Sequence, residues 1–407
     1  MQLINPTAVM RALGGISITI QNLASIARPV RRFLIWIIEH WISLPLRHNF
    51  TALARTGGYC EKSIRHHFSR KLPFITLFHK LFGFLRKTPC IAVFDPTFIA
   101  KSGSHTEGLG KFWDGTANRI NTGLEAICLA IVDTNARTAY SLEVSQSPAA
   151  VGQRGARTQT YCNFIAERTP DILEYTNVLA VDGYFMKKTF VDTACSAGLQ
   201  LITKTRVDAD MRYLYHGPKH VGKGRQRKFS GKVDFTRIDK RRWRKVHEDD
   251  ELIGYEAVLW AMRLKRAIKV VYVLSKAGAG YQLLVSTDQQ LDGATIIRYY
   301  RLRFQIEFLI RDAKVHCGME ECQARCAEKL YNHWNLAMHA VSIMKGVVWR
   351  EQRRTDKEAA FSMQAIKSVM INKMLTESIF SNLDLDLSSK KIKRLYDQCL
   401  SFGLEAA

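Results

Sequence analysis

Tyr300, Arg303, Glu307 and Lys314 follow one another at gaps of three, four and seven residues. On one continuous helix with about 3.6 residues per turn, such gaps return to the same side, so the four polar groups would share a stripe. Arg311, four residues past Glu307, joins it. Leu302, Phe304, Ile306, Phe308, Leu309 and Ile310 cover much of the remaining circumference, and a helix so apolar is normally buried. A glutamate between cations on such a helix has two readings: a structural ion-pair ladder, or a stripe facing a cleft that binds something. Two aspartates bear on that choice. The apolar run Ile91–Phe94 leads into Asp95, Pro96 and Thr97, and the run 177–181 leads into Asp182. Each reads as a buried strand ending in an acid, with Pro96 expected to break the first. Carboxylates at the ends of neighbouring strands repel and raise one another's pKa unless a cation sits between them. Oxygen-only ligands at an open strand edge suit Mg²⁺ or Mn²⁺ and not zinc.

Asp95, Asp182 and Glu307 thus form a candidate three-carboxylate metal site. Phosphodiester cleavage needs an attacking oxygen activated and a leaving oxygen stabilised, and two divalent ions about 3.5–4 Å apart do both. Asp95 would bridge the ions, with Asp182 and Glu307 each completing one shell. Lys314, Arg303 and Arg311 would neutralise phosphates beside an acidic site that otherwise repels them.

The rest of the chain must position these groups. Its 407 residues, 47% apolar and 10% aromatic, are those of a folded protein. A net charge of +23 calls for a polyanionic partner, nucleic acid first. Nine cysteines without framework spacing fit reduced thiols, and no signal peptide or bilayer-length apolar run is evident. A soluble intracellular protein is expected.

Residues 1–88 read as helical, with segments at 16–27 and 31–42 and a possible helix-turn-helix over 49–71. Its second helix would carry Lys62 and Arg65; a plain helical hairpin with a solvated basic face is the alternative. Residues 89–205 read as strands at 91–95, 124–132, 138–144, 177–182 and 199–204, with a glycine-rich loop at 101–115 and helices at 158–174 and 186–197. Residues 206–287 read as a basic, strand-rich insertion. Lys219, Lys223, Arg241, Arg242, Trp243 and Arg244 there suit a surface that follows phosphates and stacks bases, though a charge run is often only a solvated face. Residues 288–320 return to the core with the glutamate helix. Residues 321–407 read as amphipathic helices, at 330–348 and 361–378, fit for packing or for dimerisation. His316, Cys317, Cys322, Cys326 and His333 match no zinc spacing, and thiols on a continuous helix facing the core are the better account.

The four-residue pattern Tyr-x2-Arg-x3-Glu-x6-Lys, with Asp95-Pro96-Thr97 and Asp182-Gly183-Tyr184-Phe185, resembles DDE transposases of the bacterial insertion-sequence type over roughly residues 91–320. The resemblance implies an α/β fold: an RNase H-like mixed sheet interrupted by a β-rich insertion, flanked by helical N- and C-terminal regions. It implies Asp95, Asp182 and Glu307 as ligands of Mg²⁺, with Mn²⁺ able to substitute, and Tyr300, Arg303 and Lys314 as contacts to element-end DNA. It further implies cleavage at terminal inverted repeats, joining of the 3′-hydroxyls to target DNA, a homodimer on DNA, and a bacterial, nucleoid-associated cytoplasmic setting. Several such enzymes hold a flipped base on a tryptophan of the insertion, for which Trp243 and Trp260 are candidates. A nuclease that cuts without joining and a domesticated DNA-binding regulator remain alternatives.

Overall fold

The computed structural model describes residues 2–3, 6–148, 155–218, 221, 224–278, 280–355, 359–386 and 388–404, so Lys219 and Lys223 lie outside the described residues. After a two-residue strand β1 (Gln2–Leu3), the chain forms α1 (Pro6–Gln21), α2 (Arg28–Ser43), α3 (Phe50–Ala54), α4 (Glu61–His67) and α5 (Phe74–Leu81). The first two helices begin earlier than expected. Pro29 is tolerated in the first turn of α2, where its missing N–H would find no partner in the helix anyway. The helices on either side of the glycine turn at residues 57–58 are short, five and seven residues. α4 is pinned by buried Ile64 and by His67, whose ring stacks 4.0 Å from Phe33, which leaves Lys62, Arg65 and His66 exposed.

Next come β2 (Cys90–Ala100), β3 (Gly110–Asp114), β4 (Arg119–Asp133), β5 (Thr138–Ser147), α6 (Ala156–Leu173), β6 (Val178–Val181), α7 (Lys188–Ser196) and β7 (Gln200–Thr205). β4 runs antiparallel between β2 and β5, while β6 and β7 run parallel to β2 on its other side. This order, β5-β4-β2-β6-β7 with helices on the crossovers, is the RNase H-like arrangement. Pro96 does not end β2, which continues to Ala100 paired with β4. The pairing of β6 with β2 stops at Phe94, so beyond it one flank of β2 is an edge, and proline is accepted there. The stretch read as a glycine-rich loop also holds β3, a hairpin partner of β4.

Residues 206–287 supply β8 (Met211–Leu214), β9 (Phe229–Lys232), β10 (Arg244–Glu248), β11 (Leu252–Ala261), β12 (Arg266–Ser275) and β13 (Tyr281–Ser286). They do not stand apart from the core. β13 pairs antiparallel with β7, and the strands join one 12-stranded sheet.

The chain ends with α8 (Gly293–Leu302), α9 (Gln305–His316), α10 (Ala327–Thr355), β14 (Ala359–Ala360), α11 (Met363–Asn382) and α12 (Lys390–Leu400). Between α9 and α10 the chain is irregular, not the expected continuous helix. His48 holds Glu321 at 2.9 Å and the Trp41 indole donates to the Cys317 carbonyl, which anchors this segment to the N-terminal helices. No described helix is long and apolar enough to cross a membrane.

The expectation that α10 is amphipathic is not met. Every residue from Leu330 to Val348 is buried, because this helix closes the free edge of β5 on one side and is packed by α1, α2, α5, α9 and α11 on the others. Asn335 accepts from the Val144 N–H at 2.9 Å and donates to its carbonyl at 2.7 Å, while Ser342 accepts from the Ser141 N–H at 2.8 Å. An unpaired strand edge is a hazard that folds must cover, and here side chains do so. Replacing Asn335 with Ala strands both Val144 backbone groups without water and should cost about 2–4 kcal/mol; a urea midpoint matching the parent's would contradict this account of the edge.

Candidate active site

The sheet register assembles one side of the candidate site. β2 and β6 pair in parallel through Phe94↔Val181, so Asp95 and Asp182 are the next residues on adjacent strands. β6 and β7 pair through Ala180↔Ile202, and continuing that register two residues sets Lys204 beside Asp182. Lys204 Nζ lies 3.7 Å from the Asp182 carboxylate. Lys204 escaped the sequence reading because it looked like an ordinary strand end; aligning the ends of the two parallel strands would have found it. The turn after Asp182 is fixed from below by Phe185, buried against Phe94, Tyr161 and Phe190. Gly183 is required by space, since a Cβ there would come within 2.9 Å of the Lys204 side chain and 3.2 Å of its carbonyl.

Glu307 arrives from the other side, on α9, which packs against β2, β4 and β5. The expected single helix over 300–314 is broken: α8 ends at Leu302 and α9 starts at Gln305. Arg303 and Phe304 keep right-handed helical dihedrals, but the hydrogen bonds tighten to three-residue spacing, as from Arg303 N–H to the Tyr300 carbonyl. The tight turn places Glu307 in the first turn of α9, where the helix dipole favours a carboxylate. Arg303 still reaches Glu307, at 3.0 Å.

Charge converges on Asp95. Burial pushes its carboxyl up to about 7; the Arg303 guanidinium opposes that rise, while Glu307 and Asp182 add to it. Among the described residues, the one group of three metal-type side chains with ligand atoms within 4.8 Å of one another is His79, Asp171 and Glu174. That group is already committed, with His79 on Asp171 at 3.0 Å and Arg86 on Glu174. Asp95, Asp182 and Glu307 do not gather that tightly; what joins them is the effect of Glu307 and Asp182 on the Asp95 carboxyl. An all-oxygen donor set around a buried carboxyl short of positive charge fits divalent cations such as Mg²⁺.

The remaining candidates divide. Tyr300 and Arg303 are close to the acids but only 7% and 5% exposed. Burial raises the Tyr300 hydroxyl to about 12. Arg303 Nε is buried without a hydrogen-bond partner. Lys314 bridges Glu320 and the Phe98 carbonyl, both at 2.8 Å. Arg311 leaves the stripe: it bonds Asp312 at 3.2 Å and lines a different cavity, without Glu307. Trp243 is 5% exposed and donates to the Tyr213 hydroxyl at 3.0 Å. Its ring belongs to the core of the inserted strands, contrary to the expectation of a base-stacking surface, and Trp260 is half-buried. Arg241 is exposed, Arg242 lies 4.6 Å over the Tyr213 ring, and Arg244 reaches Glu256. Arg65 pairs with Glu61 at 2.5 Å, and Lys62 is exposed. The cysteines gather into no metal cluster among the described residues; burial pushes the Cys317 thiol up to about 12 and that of Cys322 to about 11.

Glu256, absent from the sequence reading, ties the inserted strands to α8. Buried on β11, it takes Arg244 at 2.5 Å, Lys269 at 3.3 Å and the Gly293 N–H at 2.7 Å. A Cβ at Gly293 would come within 2.9 Å of its carboxylate, so glycine permits the contact. Glu256→Ala leaves Lys269 buried and unpaired and should cost about 3–5 kcal/mol in denaturant unfolding. A cost below about 1 kcal/mol would show the carboxylate to be dispensable.

A family profile described as Transposase DDE domain matches residues 86–343, from just before β2 into α10. A search of curated proteins finds no match. The matched span takes in both aspartate strands, the strands that widen the sheet and the helix of Glu307, and by that match the chain belongs to the transposase DDE-domain family.

Proposed function

We propose that the protein cuts the ends of an insertion element by metal-assisted phosphodiester hydrolysis and joins the resulting 3′-hydroxyls to target DNA. The observation that carries this reading is the meeting of Asp95, Asp182 and Glu307 in one electrostatic field, two from adjacent strands and one from α9. Asp95, Asp182 and Glu307 would together hold Mg²⁺ (Mn²⁺ as substitute). Bound there, the ions supply Lewis acidity to the attacking and leaving oxygens.

The protein's own groups prepare that site. Arg303 now compensates Glu307 and would turn its partnerless Nε to a DNA phosphate. Tyr300, a phenol whose burial raises its pKa still further above neutral, would donate to a phosphate oxygen from within the cleft. Lys314 would exchange Glu320 for the backbone of the element end, and Lys204 would do the same from beside Asp182. Lys62, Arg65, Arg241, Arg242 and Arg244 would guide the flanking duplex, and the net charge of +23 supplies long-range attraction. The boundaries 1–88, 89–205, 206–287, 288–320 and 321–407 would then mark end recognition, first core segment, sheet extension, second core segment and C-terminal support, with dimerisation on paired ends.

Asp95→Asn or Glu307→Gln should lower Mg²⁺-dependent cleavage of end-bearing DNA by at least about 1,000-fold while leaving gel-shift affinity within about threefold. Cleavage at the parent rate by either variant would refute the assignment. Strand-transfer products on plasmid DNA are expected, and clean breaks without joined product would favour the nuclease reading. Affinity for duplex DNA should fall steeply with salt, since many cations displace counterions; a flat response would remove the basic surface from the account.

A further inference from the structure

Behind α9, away from Glu307, lies a cavity of about 520 Å³ walled by the β4–β5 turn, α9, α10 and the start of α11. Its volume falls in the range of small-ligand sites. Three cations line it, Arg137, Arg311 and Lys345, against one carboxylate, Asp312. Lys345 is the unusual member. It sits in the middle of the buried helix α10, only 8% exposed, and its ammonium lies 5.5 Å from the centroid of the Phe361 ring. Among the described residues no carboxylate oxygen lies within 4.0 Å of it. Asp312, itself 9% exposed, bonds Arg311 at 3.2 Å instead. A lysine so far from water, with only the through-space charge of Asp312 to offset it, is costly unless something supplies hydrogen-bond acceptors. An anion with several oxygens would supply those acceptors and balance the surplus of positive charge.

We propose that this cavity is an oxyanion site that takes a phosphate group, held by Lys345 from within and by Arg137 and Arg311 at its mouth. The phosphate comes from a DNA backbone or from free phosphate. The first source rests on the DNA-processing reading above, whereas the site itself does not.

Calorimetric titration of the full chain with inorganic phosphate, at constant ionic strength in chloride buffer, should show saturable binding near one phosphate per chain. Lys345→Met keeps length and bulk and should weaken it at least tenfold. Arg137 has φ +50°, so Arg137→Asn suits its backbone and should weaken binding severalfold with an unchanged melting temperature, which guards against misfolding of the buried variant. No saturable binding to the parent, or equal binding by both variants, overturns the site. In a parallel fluorescence-anisotropy assay with a duplex oligonucleotide, phosphate that competes with the parent but not with Lys345→Met identifies a DNA phosphate as the occupant. Duplex affinity indifferent to both identifies free phosphate. Phosphate uptake is read without cleavage, so failure of the transposase reading leaves this result standing and the reverse also holds.

Discussion

The pairing of β6 with β2 ends at Val181 and Phe94, and the next residue on each strand is an aspartate. Parallel register therefore does what no local sequence preference could do. It sets two carboxylates side by side at the point where one strand turns away and the other continues. Because side chains alternate across a strand, a slip of one residue would send one aspartate to the opposite face. The slip is prevented by burial: Cys90 to Phe94 and Leu179 to Val181 have both faces covered. The proposed chemistry thus depends on an apolar core that makes the register unique.

Glu307 has no strand to fix it and depends on a longer chain of constraints. β13 joins β7, β11 and β12 stack outward from it, and the buried Glu256 on β11 grips the first residue of α8. α8 then passes through the tight turn at 303–304 into α9, which rests on β2 and β4. The inserted strands are consequently part of the frame that sets the glutamate against the aspartates. The buried Trp243, bonded to Tyr213, fits that framing role better than a mobile stacking surface. Moving β11 would move α8, and with it Tyr300 and Arg303.

Much of this was legible in residue order. The strands around Asp95 and Asp182 announced themselves as short apolar runs, and the spacing of Tyr300, Arg303 and Glu307 survived because the turn between α8 and α9 keeps right-handed dihedrals. What escaped depends on neighbours. Whether Pro96 ends a strand is decided by where β6 stops, 85 residues later, where Val181 pairs with Phe94. Lys204 joins the site through a register between strands and not through any local pattern. α10 carries Asn332, Asn335, His339, Ser342 and Lys345 on what looked like a polar face, yet all are buried. Asn335 and Ser342 there meet the bare edge of β5, a partner that periodicity cannot reveal.

The same helix separates two kinds of buried polar group. Asn332 and Asn335 are saturated: Asn332 accepts from the Leu72 N–H and donates to the carbonyls of Phe68 and Arg70. Polar groups so paired specify packing and leave nothing for a ligand. Arg303 Nε is buried with no such partner, and Lys345 has no acceptor within reach among the described residues. They lie on elements that α9 joins, one beside Glu307 and the other behind the helix. Partnerless atoms recur elsewhere, at Trp334 Nε1 and His339 Nε2 of α10, and Arg303 still holds Glu307. It is therefore the charge of Arg303 and Lys345, and not a missing bond alone, that would draw an anion to either side of α9.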